Sequence, residues 1–391
     1  MKSGWVEKNL KDLCKVDWGN TNLTKSSYIE DGAFLAVSAA GCDGRIGHKE
    51  HSKYTPVLSA IGAQCGKMFF PEEDFTAIKN TITLTPKEEK IQGKFLYYLF
   101  TFIKLPQRGA GQPFISKGDI ERFAVSIPPL REQKQIVAIL DEAFEGIAAA
   151  TANAEKNLAN ARELFDTYLN SIFTKQGDGW IDTPLGKTCG FVRGPFGGSL
   201  KKSIFVSSGY AIYEQQHAIY NQFDDVRYFI NDKKFKEMQR FELFPDDLIM
   251  SCSGTMGRVA IVPKDIKRGI INQALLKLTP TDKILNTFLK FWMESEAFQD
   301  ALSAYSGGAA IQNVASVKIL KEIKIPLPPI KVQSRIVESI DRMRKETQRL
   351  EDVYQKKLSS LAELKQSLLQ KAFAGELTTE TAKAAKKEAV A

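Results

Sequence analysis

A ten-residue stretch near the middle of the chain returns near its end. Pro128-Pro129-Leu130-Arg131-Glu132-Gln133-Lys134-Gln135-Ile136-Val137 is answered by Pro328-Pro329-Ile330-Lys331-Val332-Gln333-Ser334-Arg335-Ile336-Val337, 200 residues later. The same offset pairs Leu140-Asp141 with Ile340-Asp341, Leu158 with Leu358, Leu164 with Leu364, Leu169 with Leu369 and Phe173 with Phe373. At the front, Gly4-Trp5-Val6, Leu10 and Cys14 match Gly179-Trp180-Ile181, Leu185 and Cys189 at an offset of 175, so the second copy holds 25 more residues. Such a chain folds as two related modules, each followed by the same segment, and divergent copies suit two similar contacts of different specificity.

The first module, about residues 1 to 130, reads as mixed α and β. Short apolar or alternating runs at 33–37, 55–60 and 80–84 are bounded by Gly, Pro and Asn, the signature of strands. Residues 95–100 read as a buried helix answered by 287–292, and Leu84-Thr85-Pro86 is answered by Leu278-Thr279-Pro280. Residues 62–67 and 254–258 are glycine-bounded turns that end in a cation, Lys67 or Arg258, and lead into an apolar strand. The Pro pairs at 128 and 328 can continue neither a helix nor a central strand, so each closes a module and opens the helix after it.

Beyond each Pro pair the apolar period becomes helical. Steps of four and three run through Ile136, Leu140, Ile147, Ala154 and Leu158, and again through Ile336, Ile340, Leu350, Tyr354, Leu358 and Leu361, as a coiled-coil seam requires. Each rod is roughly 60 to 65 Å long at the α-helical rise. The first is small-sided at Gly146, Ala150 and Ala154, where the second carries Leu350, Tyr354 and Leu358. Antiparallel pairing about positions 154 and 354 sets large against small, and a lone helix so rich in alanine would be marginal, which favours pairing within the chain. The expected class is α+β: two similar mixed α/β globular domains at 1–130 and 177–330, separated by two long antiparallel helices at 131–176 and 331–377. These form a coiled coil within an internal pseudo-twofold repeat, and 378–391 is expected to be a flexible tail.

Lys and Arg outnumber Asp and Glu by 54 to 46, and the net charge of +8 leans toward a polyanionic partner. The five cysteines are scattered with no Cys-x-x-Cys pair, which argues against a disulfide framework and for a reducing cytoplasm. No basic-then-apolar leader and no run long enough to span a bilayer are present, so a soluble chain with no membrane partner is expected. The Asn-Pro-Pro-[Phe/Tyr] and Asp-Pro-Pro-Tyr tetrapeptides of adenine methyltransferases and the Gly-x-Gly-x-x-Gly fingerprint are absent. Pro245-Asp246-Asp247 lacks the Glu-x-Lys that completes a metal-dependent nuclease motif, and 247–251 reads as a turn entering a buried strand. Catalytic, cofactor-binding and metal-binding residues are therefore expected to be none. An enzyme with methylation or cleavage activity of its own and a coiled-coil adaptor that binds only proteins are the competing readings.

Ile127-Pro128-Pro129-Leu130 with Gln133 and Ile136-Val137, Leu327-Pro328-Pro329-Ile330 with Gln333 and Ile336-Val337, and the run from Arg193 through Gly194-Pro195-Phe196-Gly197-Gly198 to Lys201-Lys202 together resemble the specificity subunits of Type I restriction-modification systems. The resemblance covers nearly the whole chain. It implies a non-catalytic subunit with two target recognition domains that read the halves of a split, asymmetric sequence in double-stranded DNA. It also implies helices that dock methyltransferase subunits and, through them, a restriction and translocation subunit. S-adenosylmethionine, Mg and ATP would then sit in the partner subunits and no cofactor in this chain. Lys331-Val332-Gln333 departs from the commoner acidic residue before Gln.

Candidate DNA-contacting residues follow from charge and loop composition. Arg45, His48 and Lys53 lie in a glycine-rich stretch read as a basic loop; His48 and His51 with Cys42 and Cys65 make a poor zinc set, because the glycines oppose a helix there. A solvated polar loop explains the stretch equally well. In 193–202, Arg193, Lys201 and Lys202 suit phosphate contact, with a purely structural turn as the alternative. Arg108, Gln112 and Gln312 sit in aligned small-residue loops, where Gln can pair with adenine and Arg with guanine, or where Gln simply closes the core. Lys67 and Arg258 end the shared turns; Arg227 and Lys233 lie in the insertion at 203–245, where divergent copies would place base readout.

Overall fold

The computed structural model describes residues 4–109, 111–304 and 316–378. The chain forms two compact units, Met1–Glu155 with Gln355–Ala391, and Lys156–Tyr354. Strand order is the same in both. The first unit has a four-stranded antiparallel sheet in the order Cys14–Trp18, Thr81–Pro86, Val57–Ser59, Met68–Phe69. Beside it lies a three-stranded sheet, Gly41–Ile46, Phe34–Ser38, Phe75–Ala77, whose last pair is parallel. A ribbon pairs Val6–Asn9 with Ala124–Ile127.

The second unit repeats this with Cys189–Arg193, Leu275–Pro280, Leu248–Ser251 and Val259–Ile261. Its three-stranded sheet is Phe229–Ile230, Tyr210–Tyr213 and Gly269–Ile271, again with a parallel last pair, and its ribbon joins Ile181–Pro184 to Lys324–Leu327. Part of its extra length forms the helix Gln215–Tyr220 between two strands that a short turn joins in the first unit.

The expected strands and the buried helix appear, the latter as Gly93–Phe102 with Phe95, Leu96, Leu99 and Phe100 in the core. One expectation holds only in part. Of the glycine-rich stretch read as a loop, Gly41–Ile46 is a strand that carries Arg45, whereas 47–54, with His48 and Lys53, is irregular. Gly44 is there because a Cβ would stand 2.2 Å from the Tyr28 ring, so the glycine admits an aromatic side chain rather than a loop.

The two long helices are Leu130–Thr174 and Ile330–Phe373, of 45 and 44 residues. Within the first unit, Ile136, Val137 and Leu140 join Leu369 and Ala372 in one core, and Lys365 Nζ lies 5.0 Å over the Phe144 ring. Within the second, Leu169 and Phe173 share a core with Ile340, the Arg344 guanidinium lies 5.1 Å over Phe165, and Arg162 pairs with Glu351 at 2.9 Å. In each unit a rising number on one helix meets a falling number on the other, so the segments run antiparallel. The repeat maps 144 onto 344 and 365 onto 165, so in both units the first helix supplies the ring and the second the cation.

The seam residues Ile136, Leu140, Ala154 and Ile340 are buried, and Ile147, Leu158, Ile336, Tyr354, Leu358 and Leu361 are half-buried. Leu350 departs from the expected seam at 39% exposed. Thr347 is buried instead, its hydroxyl satisfied by the Met343 and Arg344 carbonyls, as a 3.6-residue helix drifts from a strict heptad stripe. Gly375, at φ +74°, ends the second helix with Glu376 N donating to Lys371 O, a Schellman-type closure. Thr378, read as the start of the tail, is helical and its hydroxyl donates to Glu132 Oε1 at 2.9 Å; the remainder of the expected tail, 379–391, lies outside the described residues.

Gln133 and Gln333 explain why the repeated motif carries glutamine. Both are fully buried. Gln133 Oε1 accepts from Gln92 N at 2.9 Å, and its Nε2 donates to Lys90 O and Pro128 O at 3.1 and 2.9 Å. Gln333 repeats the set with Leu285 N, Lys283 O and Pro328 O at 2.9, 3.0 and 2.9 Å. An amide alone offers both the acceptor and the two donors needed, so it latches the first turn of each long helix to the loop before the buried helix.

Candidate nucleic-acid interface

Strand register gives each four-stranded sheet two unlike ends. In the second unit Arg193 stands opposite Leu276, Ser251 opposite Leu275 and Met250 opposite Val259, so loops 194–202, 252–258 and 272–274 leave one end together. In the first unit Trp18 opposite Ile82, Ser59 opposite Thr81 and Leu58 opposite Met68 bring loops 19–24, 60–67 and 78–80 to the matching end. Residues 106–109 and 111–115 join it, with Gly62 N donating to Pro113 O, Ile115 N to Ala60 O and Gln107 Nε2 to Cys65 O at 2.7 Å. The glutamine latches serve the other end, beside Pro86 and Pro280.

Glycine is required where these loops leave the sheet. Gly19 N donates to Thr81 O and Gly194 N to Leu275 O, both at 2.9 Å. A Cβ on Gly19 would stand 2.5 Å from Ile78 O, and one on Gly194 only 1.8 Å from Asn272 O, so each loop runs hard against backbone. The turn at 252–258 is tied by Ser251, whose Oγ donates to Thr255 O at 2.6 Å and accepts from Arg258 N at 3.0 Å. Ser59 holds the matching position, but its buried hydroxyl has no partner among the described residues.

The predicted cations divide by location and by partner. Lys67, Arg108 and Gln112 fall at the loop end of the first unit; Arg193, Lys201, Lys202 and Arg258 fall at that of the second. Gln312 lies outside the described residues. Lys67, Arg193, Lys201, Lys202 and Arg258 have no carboxylate partner among the described residues, whereas Arg108 pairs with Asp119. Burial pushes the Cys252 thiol up to about 12 against the pull of Arg193, so this neighbour leaves the Arg193 charge uncompensated.

The other candidates are placed elsewhere. Arg45 clamps backbone, donating to Gly32 O and Ala33 O at 2.8 and 3.2 Å and to Glu73. His48 lies 3.3 Å from Glu50, and His51 packs on Phe75 with ring centres 5.1 Å apart. No group of three or more His, Cys, Asp or Glu side chains suited to a metal occurs among the described residues. Lys53 lies 5.2 Å over Tyr54, beside Pro86, Leu130 and Lys134, at the latch end. Arg227 makes two bonds to Glu214, and Lys233 is exposed on the helix Asp232–Glu237.

Two aromatic residues at the loop end escaped the sequence reading. Phe196 is 94% exposed, and Trp18, the register counterpart of Arg193, is 40% exposed. The only signal was an aromatic residue set in a glycine run.

The family model described as the Type I restriction modification DNA specificity domain matches residues 2–158 and again 197–358. The chain is 31% identical over 145 residues to the Type I restriction enzyme EcoBI specificity subunit of Escherichia coli, covering 37% of this chain and only 30% of that protein. It is 25% identical over 327 residues to the MjaVIII specificity subunit of Methanocaldococcus jannaschii, covering 77% and 76%, and 23% identical over 413 residues to the E. coli EcoDI specificity subunit, covering 96% and 89%. A chain from a solved type I R-M system, described for its complex assembly and conformational transition, aligns with TM-score 0.77 at 19% identity over 96% of this chain and 99% of its own. The HsdS subunit from Thermoanaerobacter tengcongensis aligns with TM-score 0.60 at 18% identity over 96% and 98%. No described helix is long and apolar enough to cross a membrane.

Proposed function

Because the chain belongs to the family of Type I restriction-modification DNA specificity proteins, we propose that it is the non-catalytic subunit that reads a bipartite, asymmetric target in double-stranded DNA. Residues 1–130 and 177–330 are the two target recognition domains, each reading one half. The long helices dock methyltransferase subunits and, through them, the restriction subunit. S-adenosylmethionine, Mg and ATP belong to those partners, and the assembly works in the cytoplasm.

The observation that carries this reading is the loop end of each sheet, where glycine-tight loops present cations that have no carboxylate partner among the described residues. Such cations neutralise phosphate and release counterions, which supplies affinity and register, while the unlike side chains of the two loop ends read base edges. Lys67 in the first unit and Lys201 with Lys202 in the second are phosphate contacts; Gln112 and Arg258 are candidates for base readout. Each phosphate contact removed lowers the salt slope of binding by about one.

Methylome sequencing of a host carrying the chain with a cognate methyltransferase subunit tests the reading. The expected result is one bipartite methylated motif, and exchange of the loop-end residues of one unit changes one half-site only. Whole heptads inserted in both long helices change the number of unspecified base pairs and neither half-site. Absence of any bipartite motif, or a change in both halves on a one-unit exchange, rejects it.

A further inference from the structure

We propose that Phe196 is a wedge that enters the base stack of the second unit's half-site; this rests on the DNA-recognition reading above. Among the described residues no other large hydrophobic side chain is as exposed: Phe196 stands at 94%, against 74% for Tyr220 and 68% for Ile181. A ring at a fraying tip would mean little, but this tip is held from both sides. On one side Gly194 is bonded to Leu275 O and pressed on Asn272 O, and Pro195 is buried. On the other, Leu200 is 9% exposed in a cluster with Ile212, Ile230, Phe235 and Ile270, and Ser199 N donates to Phe196 O at 2.9 Å. The fold anchors both neighbours and points the ring outward.

The surroundings identify the partner. A protein-binding hot spot sets its aromatic anchor in an apolar patch depleted of charge. Phe196 has the reverse: Lys201 and Lys202 follow it, Arg193 precedes it, and Arg193 adjoins Cys252 at the root of the turn that ends in Arg258. One exposed apolar ring with cations before and after it in the same loop complements an object that is anionic outside and stacked with apolar rings inside, and a DNA duplex is such an object. The first unit lacks the device. Its loop leaves the sheet through the equivalent Gly19 with the equivalent bond, yet the residue two beyond, matching Phe196, is Thr21. Unstacking by this chain is therefore confined to one half-site.

The full chain, assembled with its cognate methyltransferase subunits, is titrated with duplexes that carry its methylated motif and 2-aminopurine at successive positions of both half-sites. The methylated adenines themselves are left as adenine, because methyltransferase subunits turn that base out of the stack in each half-site; the expected result is a several-fold fluorescence rise at one step of the second unit's half-site with no counterpart at the matching step of the first. Phe196→Ala abolishes the rise and weakens specific binding by about tenfold to a hundredfold with an unchanged salt slope, and Phe196→Trp retains both. Lys201→Ala with Lys202→Ala lowers the salt slope and keeps the rise. A rise that persists in Phe196→Ala, or wild-type binding without any rise, overturns the wedge. So does a Phe196→Ala chain that binds DNA normally but no longer assembles, which assigns the ring to a protein contact. Absence of salt-dependent DNA binding by the wild-type assembly rejects the DNA-recognition reading as well.

Discussion

Gln133 and Gln333 make the same three hydrogen bonds in the two units, while Thr83 and Lys277, which also share a position by strand register, make none in common. Thr83 is buried, and among the described residues its hydroxyl bonds only to the Asp17 carbonyl of the neighbouring strand. Lys277 is 7% exposed, its ammonium donating to Glu242 O at 2.5 Å and lying 3.9 Å from the buried carboxylate of Asp247, where the first unit has Thr55. The latch sets the angle at which a helix meets a sheet, and an amide is the one side chain that supplies its donors and acceptor. The strand interior only has to be filled and satisfied, which two threonines or an ion pair do equally well. Duplication thus left unchanged what joins helix to sheet and let the body of the sheet diverge.

The largest expected effect breaks the divergent side of the comparison. Lys277→Met takes the nearby cation from the buried Asp247 carboxylate, which keeps the hydrogen bonds from Phe244 N and Thr279 Oγ1, and destabilises the second unit by about 3 kcal/mol, read as lost amide-exchange protection in 189–280. Lys277→Thr with Asp247→Thr, which writes the first unit's solution into the second, recovers at least half; no recovery would mean that the two interiors are not interchangeable. Gln133→Ala or Gln333→Ala takes the partner from three backbone groups, one of them fully buried, and costs about 2 to 3 kcal/mol, each confined to its own unit, and chemical denaturation of the double variant tests whether the costs add. Lys365→Met removes its contact with Phe144 and costs about 0.5 to 1 kcal/mol; Arg344→Met also loses Phe291, at 4.6 Å, and Glu294, at 2.9 Å, and costs more, so equal thermal melts would show that these extra partners of the second unit add nothing. The smallest effect is a pH dependence found through Asp43. Burial alone would raise its pKa, but hydrogen bonds from Lys25, Tyr28 and Ser38 outweigh burial and hold the carboxyl below its ordinary 3.8. Its contribution is complete above that value and is lost as pH falls through the lower folded value, so exchange protection in 34–46 declines with acid in the wild type and not in Asp43→Asn.

Much of this architecture was legible because its signals are local or repeated. The 3.6-residue period after each Pro pair marked both long helices, and the 200 offset alone implied one fold used twice. What escaped depends on partners distant in sequence. The Gln133 side chain bonds to Lys90 O, 43 residues away, and nothing in the first turn of a helix marks a glutamine as buried. Lys277 did leave a trace, a charge inside Leu275-Leu276-Lys277-Leu278, but its partners, the Asp247 carboxylate and the Glu242 carbonyl, lie 30 and 35 residues upstream. The segment that carries Arg45 was misread as loop because Gly44, which admits the Tyr28 ring, looks in sequence like a glycine that makes a loop. At the candidate interface, the cations were visible from composition, while the aromatic tip was visible only once its anchored flanks were seen.

The first unit completes its core with Leu369, Ala372, Phe373 and Leu377 from the far end of the chain, whereas the second is drawn from the single stretch 156–354. Synthesis proceeds from the N-terminus, so the unit begun first is finished last. A chain stalled on the ribosome just after residue 355 has emerged holds every residue of the second unit and an open flank on the first, with Ile136 and Leu140 exposed to water. Until the last segment is made, that flank is the part of the nascent chain that a chaperone or protease meets.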